Sequence, residues 1–178
     1  KELRTLDLEN CSSIKNLDGL TNSTALEVIN MNNCSSLKTL NGLEKCNNIV
    51  EIQILECIEL VDVSALKGCS KIESIDLFGC TSLTNVDGLS ECKNLSKVII
   101  TSRRMMSSYN QKFYIPSLPS GLDKIKSLKV LDVSYQPIEN LDGLGSCKEL
   151  SEIILSSCDK LINVDGLNEC GKIKKIMM

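Results

Sequence analysis

The sequence predicts an α/β repeat solenoid, a coil with short parallel strands on one face and brief 3-10 or α-helical segments on the other. Three observations predict it. Ten cysteines fall in two columns of a 23-residue period: Cys11, Cys34, Cys57 and Cys80, rejoined by Cys158, and Cys46, Cys69 and Cys92, followed by Cys147 and Cys170. Apolar residues recur with the same step. Within each turn, two of those apolar positions lie two residues apart, which is the alternation of a strand with both side chains facing inward. A fixed period of about 20–50 residues marks a repeat architecture, because each unit buries its apolar face only by stacking on neighbours.

The elements follow in order along each turn. Leu3, Leu26, Ile49, Ile72, Leu95, Leu128, Leu150 and Ile173 open the turns. Leu6, Ile29, Ile52, Ile75, Val98, Leu131, Ile153 and Ile176 come next, then Leu8, Met31, Ile54, Leu77, Ile100, Val133, Leu155 and Met178. These define strands such as Ser74–Phe78. The first cysteine column follows, then Ile14, Leu37, Leu60, Leu83, Ile138 and Leu161. The chain reverses at Asp18, Asp87, Asp142 and Asp165, each followed by glycine, with Asn41 and Ser64 in the same slot. These residue types favour helix N-caps, which predicts one or two helical turns ending near the second cysteine.

Each turn reads L-x-x-L-x-L-x-x-C-x-x-L-x-x-V-D-G-L-x-x-C, and in this it resembles the leucine-rich-repeat (LRR) family. The first half, with cysteine where many families carry asparagine, is similar to the cysteine-containing subclass. The short second half is similar to the 22-residue class of bacterial internalins and of a phosphatase-regulating LRR protein. Kinetoplastid parasite LRR proteins look like the same mixture. The resemblance implies a horseshoe or arc with a parallel sheet on its concave face, and a function in binding other proteins. The expected organisation is a single solenoid over residues 1–178, with about seven repeats, the start of an eighth and an insertion near 103–112. Both ends enter or leave a strand abruptly, so an excerpt of a longer protein is expected.

Composition narrows the functions. The formal charge is −3 and the pI about 5.1, which disfavours electrostatic binding to nucleic acid or an anionic membrane. No apolar run approaches the ~20 residues of a membrane span. There is no histidine, hence no histidine-based triad or metal site, and no C-x-x-C pair gives zinc spacing. No catalytic residue, metal or cofactor is assigned. The cysteines occupy slots that carry core residues in other turns, so they read as buried, reduced thiols. That favours the cytosol, with an exported or cell-surface location as the alternative if a signal sequence precedes Lys1.

Candidate contact residues come from departures from the pattern. The outward strand positions are mostly polar, but Leu55, Phe78, Ile99 and Ile154 are not. Three tyrosines and two phenylalanines are the whole aromatic complement. Phe78 and Tyr135 flank turn five, which carries Tyr109, Phe113 and Tyr114 in or beside its insertion. Arg103 replaces the column cysteine there, beside Arg104. Aromatic residues and arginine are enriched at interface hot spots, and long loops on rigid scaffolds carry function. The competing reading is that the insertion folds back to cover turn five.

The expected function is therefore a protein-protein interaction module. It would bind through the concave sheet and the turn-five insertion, as an adaptor or regulatory subunit. The alternatives are a structural brick that contacts its neighbours end to end through uncapped ends, and an exported microbial adhesin or effector.

Overall fold

The computed structural model describes residues 2–102, 115 and 117–178. Eight strands of three residues each run parallel: β1 (Thr5–Asp7), β2 (Val28–Asn30), β3 (Glu51–Gln53), β4 (Ser74–Asp76), β5 (Lys97–Ile99), β6 (Val130–Asp132), β7 (Glu152–Ile154) and β8 (Lys175–Met177). Each is shorter than the pattern predicts, Ser74–Asp76 rather than Ser74–Phe78. The ladder continues past the strand ends through single bonds, such as Glu56 N–H to Phe78 O at 2.7 Å. The register steps by one repeat, with Leu6 opposite Ile29 and Ile29 opposite Ile52. The turn-five insertion does not disturb it: Val98 stands opposite Leu131.

The strands form two sheets, β1–β2–β3 and β4 to β8. The interruption falls beside turn three. In four other turns the residue at the end of the strand caps the next bend: Asp7, Asn30, Asp76 and Asp132 each accept the N–H two residues on. Turn three has Gln53 there, one methylene longer. Leu55 N–H goes instead to Asn32 Oδ1 of the preceding turn, at 2.8 Å.

The core is continuous through both sheets, and leucine columns such as Leu37, Leu60, Leu83 and Leu144 are fully buried. Thiols are part of it. Cys34, Cys57 and Cys80 each donate to a carbonyl one turn upstream, those of Leu8, Met31 and Ile54, at 3.2, 3.1 and 3.0 Å. All ten cysteines are free. Cys11 departs from the expected burial and is exposed. Cys158 is half-buried.

Opposite the strands, 3-10 helices cover Asp18–Leu20, Ser64–Leu66, Asp87–Glu91, Leu122–Lys124 and Asp165–Leu167. Two corrections apply here. Asp18, Ser64, Asp87 and Asp165 are the first helical residues, not N-caps; the caps are Leu17, Val63, Val86 and Val164, without side-chain cap bonds. The polar bonding comes two residues earlier, where Asn16, Asp62, Asn85 and Asn163 accept the N–H of that first residue. At Asn41 and Asp142 no helix forms. Gly42 and Gly143 there have φ of 106° and 90°, a left-handed conformation that ends helical propagation.

Candidate functional site

The strand register fixes which outward side chains are neighbours. Asp76, Ile99, Asp132, Ile154 and Met177 form one column across β4 to β8. Beside it run Ser74, Lys97, Val130, Glu152 and Lys175. Ile99 and Ile154 therefore share a column with Asp132 between them, and the apolar stripe is not continuous. Val130 lies in the neighbouring column, between Lys97 and Glu152. Leu55 and Phe78 flank the sheet interruption, linked by the Glu56-to-Phe78 backbone bond. All four apolar candidates, Leu55, Phe78, Ile99 and Ile154, are half-buried.

Two carboxylates frame Ile99. Asp76 Oδ1 accepts Phe78 N–H, and Asp132 Oδ1 accepts both the N–H and the hydroxyl of Ser134, at 2.9 and 2.6 Å. Burial pushes the Asp76 carboxyl above its ordinary value against the Phe78 bond, and the negative charge of Asp132 adds to the rise. These aspartates are thus bend-capping residues as well as a charged frame.

Tyr135 is 44% exposed and its φ is 63°. The position before the thiol column is left-handed in other turns too, where it holds Asn10, Asn33, Glu56, Gly79 and Ser157. A bulky aromatic in this region is unusual and carries backbone strain. Its N–H bonds Ser156 O at 2.9 Å, and its carbonyl accepts the Ser102 hydroxyl at 3.1 Å. The candidates Arg103, Arg104, Tyr109, Phe113 and Tyr114, and with them the 103–112 insertion, lie outside the described residues.

Turn five departs from the repeat on its far side as well. Three adjoining hollows of about 320, 240 and 170 Å³ all touch Leu118. The largest of these is bordered by the Lys124–Asp87 ion pair at 2.8 Å. Among the described residues no group of three or more histidine, cysteine or acidic side chains is placed to hold a metal. No described helix is long and apolar enough to cross a membrane. The three-residue spacing from Val133 sets Gln136 in the thiol column but gives no sign of its role: it is buried and bonded at both ends of its amide.

Residues 3–87, just under half the chain, match the family model described as the endo-beta-N-acetylglucosaminidase EndoS LRR domain. No curated protein matches in sequence. Among solved structures, a plant peptide hormone receptor in complex with RGF2 is similar over 100% of this chain and 34% of its own, at 12% identity and a TM-score of 0.54. An internalin C2 of Listeria monocytogenes is similar over 89% of this chain and 80% of its own, at 14% identity and a TM-score of 0.48. A Leptospira interrogans LRR protein is similar over 99% and 54%, at 10% identity and a TM-score of 0.44. The chain thus spans about a third of the receptor and about half of the Leptospira protein. At these identities the receptor likeness speaks for the fold alone. Residues 3–87 are thus similar to a leucine-rich-repeat domain, and the chain has the leucine-rich-repeat fold, its strand register carrying the repeat past residue 87 to β8.

Proposed function

We propose that this solenoid is a protein-binding module whose partner seats on the strand face of β4 to β8 and contacts the turn-five insertion, with the chain serving as an adaptor or regulatory subunit. The observation that carries the reading is the apolar character of an otherwise polar strand face: Phe78, Ile99 and Ile154, with Leu55 at the boundary, are half-buried and outward in the strand columns. Tyr135, just past β6, is exposed and in a left-handed conformation. Buried free thiols suit a reducing compartment, which supports a cytoplasmic setting. Catalysis is not part of the proposal, because a chain without histidine lacks the commonest general base.

The test is proximity crosslinking in the native source, comparing the wild-type chain with a chain lacking Arg103–Lys112. A partner captured by the first and lost by the second supports the reading. An unchanged set of partners moves the contact away from turn five and overturns that part of it.

A further inference from the structure

In turn six the thiol column holds a glutamine. Gln136 follows Val133 by three residues, the spacing at which Cys34 follows Met31 and Cys57 follows Ile54. It is only 3% exposed. Its Nε2 donates to Ile100 O at 3.2 Å, a carbonyl one turn upstream. The Cys158 thiol does the same to Val133 O at 3.3 Å in the next turn. A thiol is otherwise only a weak acceptor. A carboxamide also has an accepting end, and Gln136 Oε1 takes the N–H of Ile115 at 2.8 Å.

Ile100 is the last inward strand residue before the insertion, and Ile115 is a buried residue after it. One side chain therefore bonds both stems. The adjacent residue adds a third tie, because the buried Ser102 donates its hydroxyl to Tyr135 O at 3.1 Å. A buried backbone N–H needs a partner. Cysteine at 136 would leave that of Ile115 without this acceptor.

We propose that Gln136 is a positioning residue that fixes the two stems of the turn-five insertion relative to the strand face. Its amide does at once the donor's work of the thiol column and the work of a strong acceptor for the stem that follows the insertion. Ser102 adds a tie to the carbonyl of the neighbouring Tyr135. The inference concerns how the face is built, and its test involves no partner, so it stands or falls separately from the binding proposal.

The experiment is residue-resolved amide hydrogen exchange on the wild type, Gln136→Cys and Gln136→Glu. Gln136→Cys restores the thiol of the other turns but removes the acceptor. Exchange at Ile115 is expected to rise about tenfold or more, the loss of one buried hydrogen bond, while remote amides such as Leu60 and Leu144 change less than about twofold. Gln136→Glu keeps an acceptor but, when ionised, turns a second oxygen toward Ile100 O. Protonation returns the donor, so its Ile115 protection should be lost at neutral pH and regained on acidification, after correction for intrinsic exchange. Unchanged Ile115 exchange in Gln136→Cys overturns the proposal. So does uniform acceleration at all amides, or a glutamate variant indifferent to pH.

Discussion

The strand face of β1 to β3 and that of β4 to β8 share a core and a register but differ in what they leave for a partner. On the first sheet the polar side chains satisfy one another. Asn30 Nδ2 donates to Glu9 Oε2 at 3.3 Å, Asn32 Nδ2 to Gln53 Oε1 at 3.2 Å, and Gln53 Nε2 to Glu51 Oε1 at 2.8 Å. On the second sheet Phe78, Ile99, Val130 and Ile154 interrupt the polar positions, where Lys175 Nζ donates to Glu152 Oε1 at 3.1 Å. Covering the first sheet means exchanging hydrogen bonds already made. Covering the second removes apolar surface from water, at about 25 cal/mol per Å². The difference teaches that a repeat scaffold can hold its inward columns constant while its outward columns change from mutually bonded polar residues to a more apolar mixture.

The comparison breaks first if the cores differ. Leu37→Ala and Leu83→Ala, one under each sheet, are both expected to cost roughly 2–5 kcal/mol in denaturant unfolding, since both side chains are fully buried. A loss below about 1 kcal/mol at either site would remove that column from the core. The faces are distinguished next. Phe78→Ala should weaken partner binding by about 2 kcal/mol, roughly 30-fold, with the melting temperature nearly unchanged. Asn32→Ala should do the reverse, lowering stability by about 1 kcal/mol through loss of its bond to Leu55 N–H and leaving affinity intact. Similar profiles for the two variants would erase the distinction.

A smaller effect is expected at Ser23, which occupies the second cysteine column fully buried and without a hydrogen-bond partner for its hydroxyl. Ser23→Ala should raise unfolding stability by roughly 0.5–1.5 kcal/mol. The smallest is at Asp76. Its folded carboxyl binds its proton more tightly than the unfolded one, because burial raises its pKa. Its contribution to stability therefore falls as pH rises through that elevated value. Asp76→Asn, which retains an acceptor for Phe78 N–H, should flatten the stability–pH profile on that limb; an unaltered slope would place Asp76 in solvent.

The inward architecture was legible in the sequence because it rests on spacing. Leu26, Leu60 and Leu128 are buried where the period places them. The outward face was less so. The repeat spacing already sets Asp132 between Ile99 and Ile154, as the paired register bears out, but it does not show how far each side chain is buried. The N-cap assignment of Asp18 failed because two residues compete for the turn, and Asn16, with its side chain accepting the Asp18 N–H, takes the polar role. The interruption between β3 and β4 had no signal in the period, which runs through it unchanged. Gln136 was legible as the occupant of the thiol column in turn six, but its spacing did not show that its amide bonds Ile100 and Ile115.

The thiols have a further consequence. Burial pushes Cys34 up to about 11, Cys69 to about 12, and Cys92 and Cys147 each to about 11. At physiological pH these sulfurs stay protonated, and the thiolate is the nucleophile. Alkylation then requires the surrounding turn to open, so the chain carries built-in reporters spread along its length. A mass spectrum after a timed pulse of iodoacetamide would count opened turns one adduct at a time. The exposed Cys11 would label first and calibrate the pulse.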